Sequence, residues 1–455
     1  MIRIAKYDYE PAHERLRQYT VNAASRLYDR NHADRATPSV QAKRRKADEV
    51  VLFFSTCSAA GGSSFKELNE KPDVVIHDES ANTTEGDALI AIMTTTYEGP
   101  EGSIPRTYYL GLGDDYQLKA LQHVSSFIKR CRMVKYWKVK SEDLAISLFE
   151  RMIYHGRAMF SFLSAQYRMH PAISRITSVP FYKLYFRNPL PIGTFLRDYN
   201  QVARDDELSW TNYFPLTFID TSSIPAKKRH EIQPDKGRFS NDTEAFVVVD
   251  IVKSLFDRYG NAAMDGNIAV IAPYRAQVDK IKAFLNAHVP QLARETDREF
   301  RDVKVCTVDS MQGSQRDVVI ISITRSNDLG GVGFVRNTRR LNVSLTRARF
   351  LNIVIADYST IRVTGRRKGY GIPSLASIYT KCLARGEDNN ACVAQITPVR
   401  NRQPGQDFFT LSAKASAEPA TVRGTKHARL DNDPEMVNDT PTWDFAGLFP
   451  EELEE

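Results

Sequence analysis

Between Val50 and Ala356 the chain alternates short apolar runs with amphipathic stretches. Val50 to Ser55, Val74 to His77, Tyr108 to Leu112, Asn267 to Ala272, Lys304 to Val308, Val318 to Thr324 and Leu351 to Ala356 read as buried strands. Ala245 to Phe256 and Ala276 to Phe284 carry apolar residues at helical spacing between them. Strands that alternate with helices predict an α/β protein on a parallel sheet covered on both faces. The pattern breaks near Phe149 to Ser161, where a boundary between two α/β units is drawn, and it stops beyond about Arg385. The expected divisions are therefore 1–47, unassigned; 48–150, a first unit; 151–385, a second unit; and 386–455, a tail rich in Pro, Ser, Thr, Asn and Asp. Such a tail cannot bury enough apolar surface to order itself and is expected to be disordered. No internal repeat is present.

Five segments on this frame carry candidate chemistry. They are Val74-Val75-Ile76-His77-Asp78-Glu79-Ser80, Gly113-Asp114-Asp115-Tyr116-Gln117-Leu118, Gln166-Tyr167-Arg168-Met169-His170-Pro171, Val308-Asp309-Ser310-Met311-Gln312-Gly313-Ser314-Gln315, and the arginine-rich Arg339 to Arg349. The last predicts a short helix before an apolar strand, with guanidinium groups placed to meet a phosphoryl group whose charge shifts during transfer. An acidic pair after a strand, taken alone, is more often a solvated loop. The ordered set changes that. From about Val50 to about Asp357 it resembles motifs II to VI of superfamily 1 helicases, in the branch of the up-frameshift and Sen-type enzymes. QYRMHP and LNVSLTRAR are its specific strings.

The resemblance implies two RecA-like domains, the first only partly present in this chain and the second complete, with ATP and Mg²⁺ bound between them. It implies Asp78 as the metal-holding carboxylate, Glu79 as the group that orients or deprotonates the attacking water, and Gln117 as the reader of the γ-phosphate. It makes Arg168 and Arg347 arginine fingers, Tyr167 the aromatic against the base, and Gly313 and Gln315 nucleotide contacts. Thr56, Tyr274, Arg275 and Thr307 match the positions that grip single-stranded RNA or DNA, although Tyr274 fits a packed loop aromatic equally well. Most of these residues are expected just after the carboxyl ends of strands, where open α/β sheets place ligands. Three departures stand out: Gln315 where a glutamate is common, Ser80 where alanine is usual, and Lys119-Ala120 where prolines often follow.

A fourth departure concerns the phosphate loop, since the chain contains no GxxxxGK[ST] segment. Without its amides and lysine the β- and γ-phosphates lose their usual cradle. Two expectations compete: a truncated form of an ATP-driven helicase or translocase, which is favoured because the other ATP-site residues are kept, and an ATPase-dead module that binds nucleic acid or protein. An incomplete first sheet is expected to expose an unpaired edge and apolar surface.

Composition adds less. A net charge of +7 favours a polyanionic partner. The basic run Lys43 to Lys46 reads as a solvated loop before it reads as a backbone contact or a nuclear address. Five scattered cysteines without a CxxC pair speak against a disulfide framework and a zinc site. No apolar run is long enough to span a bilayer and the first residues lack a secretory signal core, so an intracellular protein, cytoplasmic or nuclear, without membrane contact is expected. Trp443, Phe445, Leu448 and Phe449 precede four glutamates in residues 443–455, a cluster that fits an inert tail or a dock for a protein partner.

Overall fold

The computed structural model describes residues 2–3, 53–62, 72–95, 107–119, 146–155, 158–183, 186–187, 215–235, 237–264, 266–289, 303–362, 371–384, 391–403 and 406–414. Residues Met1–Ala415 pack as one unit; a second, Ser416–Glu455, lies outside the described residues, as do the basic run at Lys43 to Lys46 and the aromatic cluster at 443–455.

Two parallel sheets carry the chemistry. The smaller pairs β1 (Val74–His77) with β2 (Tyr108–Gly111), Val74 opposite Tyr108 and Ile76 opposite Leu110. The larger consists of β3 (Leu216–Asp220), β4 (Ile268–Ala272), β5 (Val303–Thr307), β6 (Arg316–Ser322), β7 (Ala348–Ala356), β8 (Ala391–Pro398) and β9 (Phe409–Ala413). Its order is β9-β8-β3-β7-β6-β4-β5, parallel throughout except for the antiparallel β8–β9 hairpin.

β3 (LTFID) and β4 (IAVIA) are buried at every position, as a parallel sheet covered on both faces requires. Alternate strand residues feed two cores. On one face α5 (Asp242–Met264) and α6 (Arg275–His288) cover Ile268, Val270, Val318, Ile320 and Ile353. On the other, three helices cover Phe218, Ile271, Ile321 and Val354, namely Pro171–Tyr182, Thr338–Leu345 and Pro373–Ala384. In chain order the helices used below are α1 (Cys57–Ala60), α2 (Glu85–Thr95), α3 (Leu148–Tyr154), α4 (Pro171–Tyr182), then α5 and α6, and α7 (Thr338–Leu345).

The expected strands from Val74 onward hold within a few residues; of Val50 to Ser55 only Phe53–Phe54 is a strand among the described residues, residues 50–52 lying outside them. The sheet continues past Arg385 through β8 and β9, so the break drawn there falls too early: Cys392-Val393-Ala394-Gln395-Ile396 is a short apolar run between polar stretches that hide it. Within the large sheet β3 is also not expected from the pattern, and it lies in the interior between β8 and β7.

In the small sheet Val74, Ile76, Tyr108 and Leu110, which share one face, are exposed. This is the apolar surface expected of an incomplete first sheet. Among the described residues no helix is long and apolar enough to cross a membrane.

Candidate nucleotide site

The carboxyl ends of β1 and β2 face the amino ends of β6 and β7, and the candidate residues meet in that seam. Asp78 and Glu79 follow β1. Glu79 adopts left-handed backbone angles (φ 53°, ψ 36°) and its amide donates to Asp78 Oδ1 at 3.0 Å, so the sharp turn presents both carboxylates in succession. Ser80 explains its departure from alanine: its hydroxyl donates to Leu112 O at 2.8 Å, as does its amide, and this ties the end of β1 to the end of β2. Gly113 then passes so close that a Cβ there would lie 2.8 Å from Ala81 N.

In the loop that follows, Gln117 Nε2 donates to Asp114 Oδ2 at 2.6 Å, and the Tyr182 hydroxyl donates to the same oxygen at 2.6 Å. Across the seam, Arg347 Nη2 donates to Gln117 Oε1 at 2.5 Å and Arg347 Nε to Val343 O at 2.9 Å. Arg347 is 1% exposed. Burial, and then the like charge of Arg168, hold its guanidinium down at about 10, against the attraction of Glu79, Tyr182 and Asp114. Arg168 is likewise lowered by burial, with Tyr182, Glu79 and Asp114 opposing. Both cations thus feel Glu79.

Arg168 is positioned by a folded turn. Gln166 Oε1 accepts the amides of Arg168 (3.0 Å) and Met169 (2.7 Å), and Gln166 Nε2 donates to Met169 O at 2.8 Å. His170 caps α4, its Nδ1 accepting from Ala172 N at 3.0 Å, and Pro171 occupies the first helical position, where no amide partner is needed. Burial lowers the His170 imidazole to about 4, which keeps it neutral and able to accept that bond. The string QYRMHP is therefore a self-bonded turn followed by a helix start. From it Arg168 reaches Gln315 Oε1 (2.9 Å) and Thr346 O (3.1 Å).

Thr56, Asp78, Glu79, Gln117, Tyr274, Arg275 and Thr307 lie at or past carboxyl ends of strands as expected, whereas Gln315 and Arg347 stand just before β6 and β7 and Arg168 just before α4. The reason is topological: the larger sheet offers its amino edge to the smaller sheet's carboxyl edge. Gly313 has φ +71°, a left-handed conformation that explains the glycine, and nothing lies within 4 Å of a Cβ built there. Tyr167 is 66% exposed beside the seam.

The expected nucleic-acid residues are not brought together with these. Tyr274, Arg275 and Thr307 lie at the opposite, carboxyl edge of the large sheet, one strand length or about 17 Å away. Tyr274 is 4% exposed, packed against Phe239 and Phe334, so its ring is not available to a base. Arg275 is exposed and pairs with Asp279 at 3.3 Å. Thr307 Oγ1 lies 3.1 Å from Ser310 Oγ. Thr56 caps α1 through its hydroxyl, accepting from Ala59 N at 3.2 Å, and is itself exposed.

Four residues at the seam escape a sequence reading. Tyr182 and Asn342 bond each other at 2.9 Å under Asp114, while Gln312 donates to Glu79 Oε2 at 3.4 Å and accepts from Asn82 Nδ2 at 3.3 Å. They are neutral polar residues inside helices and turns, where only three-dimensional placement distinguishes them. Among the described residues no cluster of three or more metal-ligating side chains occurs. The exposed Asp78 carboxylate matches the other common arrangement, Mg²⁺ held by one or two carboxylates and by substrate phosphates.

The AAA domain family matches residues 144–359. The chain is 29% identical over 316 residues to Regulator of nonsense transcripts 1 of Dictyostelium discoideum, covering 69% of this chain and 20% of that protein. It is 31% identical over 317 residues to DNA-binding protein SMUBP-2 of Rattus norvegicus, covering 69% and 28%. The chain thus spans less than a third of either relative's length. Among solved structures, that of the PRRSV helicase overlays with a TM-score of 0.30 at 13% identity, over 74% of this chain and 48% of that one.

Proposed function

Because the chain belongs to the superfamily 1 helicases of the up-frameshift and Sen type, we propose that it carries the hydrolytic and arginine-finger parts of an ATP-driven helicase or translocase acting on single-stranded RNA or DNA. The observation that carries this reading is the seam itself. Glu79, with Asp78 beside it, and Gln117 on one edge face two desolvated arginines on the other, and Gln117 touches Arg347 directly.

Each group has a task it suits chemically. Asp78 would hold Mg²⁺, which would supply charge neutralisation to a bound nucleotide. Glu79 orients the attacking water and accepts its proton. Arg168 and Arg347 stabilise the charge that develops on the transferring phosphoryl group, and their burial strengthens that attraction because water screens it less. Gln117 can donate and accept, which suits a group that exchanges a phosphate oxygen for the Arg347 guanidinium. Tyr167, exposed beside Arg168, offers a face for the base, and Gln315, through Arg168, adjusts the finger. Residues 48–150 would form part of the first lobe and the second would begin near residue 151, so that hydrolysis depends on the seam staying closed.

The single strand is placed on the carboxyl edge of the large sheet, over Arg275 and Thr307, with Thr56 from the first lobe. Arg275→Ala should weaken binding of both RNA and DNA about equally and reduce the salt dependence, since an exposed arginine reads phosphate and not base.

The test is phosphate release from ATP by the full chain, with and without single-stranded RNA or DNA. Stimulated turnover that disappears in Glu79→Gln supports the reading. Salt-sensitive binding of nucleic acid without turnover, in a chain that has no GxxxxGK[ST] segment, would favour the binding-module alternative.

A further inference from the structure

Glu150 lies at the break between the two expected units and is buried. Its own helix fixes the carboxylate: Ser147 Oγ accepts from Glu150 N at 3.1 Å, and Glu150 Oε2 accepts from Ser147 N at 3.3 Å, a capping box at the start of α3. The second oxygen, Oε1, faces two cations from different segments. Lys119 Nζ lies 3.2 Å away, at the end of the loop that carries Gln117, and Arg339 Nη2 lies 3.1 Å away, in the first turn of α7.

The same loop touches α7 again one turn on, where Asn342 Nδ2 donates to Tyr116 O at 3.1 Å. Just past the helix end it meets Arg347 through Gln117. Arg339 and Asn342 are three residues apart and so share a helical face. The loop is laid along α7 and tied at three successive points. Of these, only the Glu150 tie pairs opposite charges, and only it is anchored from outside both the loop and the helix.

We infer that Glu150 is a positioning residue: by holding Lys119 and Arg339 on one fixed carboxylate oxygen, it splints the Gly113–Lys119 loop to α7 and sets where Gln117 meets Arg347. This assigns a purpose to Lys119, which departs from the prolines common at this point. The splint takes Gln117 and Arg347 as nucleotide-site groups from the reading above, but its physical content, an ion-paired register between loop and helix, does not depend on hydrolysis. Removing the carboxylate leaves two like charges facing each other across the tie, which pushes loop and helix apart.

The experiment is amide hydrogen exchange on the full chain without nucleotide. Glu150→Gln keeps the capping hydrogen bonds and loses the charge. It should speed exchange in residues 114–118 and at Thr346 by about tenfold, while β4 and β6 in the core stay unchanged. Arg339→Met should do the same, Arg339→Lys should retain protection, and Lys119→Met should have little further effect in the Glu150→Gln background. Unchanged exchange in the loop, or a rise shared equally by β4 and β6, would overturn the splint. A fluorescent ATP analogue separates the two readings. If the wild-type chain binds none while the loop still loosens in Glu150→Gln, the nucleotide reading fails and the splint stands; if the analogue binds equally to wild type and Glu150→Gln, the splint does not set the site and the inference fails.

Discussion

Replacing Arg347 by methionine should separate stability from chemistry. The guanidinium is buried and held at about 10 against an ordinary 12.5, which means that the fold disfavours the charged form. At about 1.4 kcal/mol per tenfold, the penalty is of order 3 kcal/mol. The sign follows from the direction: the folded value lies below the unfolded one, so the full penalty acts at all pH values below about 10 and is relieved only above it. Methionine is unbranched and adaptable, follows the arginine's path to about Nε, ends two atoms short of the guanidinium nitrogens, and removes the penalty. Against this gain, Val343 O loses its 2.9 Å donor, and Ser314 O, at 3.5 Å, loses a marginal one. An orphaned buried acceptor costs about 1–3 kcal/mol, whereas Gln117 is only half-buried and can turn to water. The terms nearly cancel, and Arg347→Met should unfold within about 2 kcal/mol of wild type in urea, a midpoint change of roughly 5 °C or less on heating. Phosphate release, in contrast, should fall by about 10³-fold or more, as loss of an arginine finger implies. A loss of more than about 4 kcal/mol would show that the buried charge is a net structural tie and would refute the reasoning.

Two further outcomes follow from the same seam, and a third from the opposite, carboxyl edge of the large sheet. Gly113→Ala puts a Cβ 2.8 Å from the Ala81 backbone, so the two strand ends must part; a cost of about 1–3 kcal/mol in urea unfolding, with faster exchange around Gln117, is expected. Gln315→Glu turns the 2.9 Å contact with Arg168 into an ion pair. Since Gln315 is exposed, the gain should stay below about 1 kcal/mol and vanish at high salt, which thermal melts across a salt series will measure. Glu244 is buried under Ser322 Oγ (2.6 Å) and Thr324 N (2.8 Å), and burial raises its carboxyl to about 8 from 4.5. The folded state therefore keeps a proton that the unfolded chain gives up, and stability should fall as pH rises from about 4.5 to about 8. Glu244→Gln should flatten much of that slope in pH-dependent melts, leaving the share of Asp250, which burial raises to about 7.

What the sequence revealed were groups whose chemistry is local. The acidic pair after β1, the glutamine loop after β2, QYRMHP and the arginine helix each sit on a recognisable turn or helix start, and so could be placed before any coordinates. The α/β class was equally legible, because β4, β6 and β7 are continuous apolar runs between amphipathic helices. What escaped depends on distant pairing. Nothing local says that Arg347 faces Gln117, or that the large sheet presents its amino edge to the small one. Tyr274 shows where sequence leaves a choice open: an aromatic after a strand reads equally as a nucleic-acid contact or a packed loop residue, and Phe239 and Phe334 enclose it. Glu150 carried a visible signal, the Ser147-Leu148-Phe149-Glu150 capping box, but its pairing with Lys119 and Arg339 is tertiary. β8 and β9 were hidden by the polar residues around them.

The most direct test of the central claim is phosphate release from ATP by the full chain, titrated with single-stranded RNA and, separately, single-stranded DNA, beside Glu79→Gln. The account predicts turnover that rises with nucleic acid and is lost in the variant while nucleic-acid binding persists. Turnover that Glu79→Gln leaves unchanged, or its absence from the unaltered chain with either nucleic acid, would contradict it.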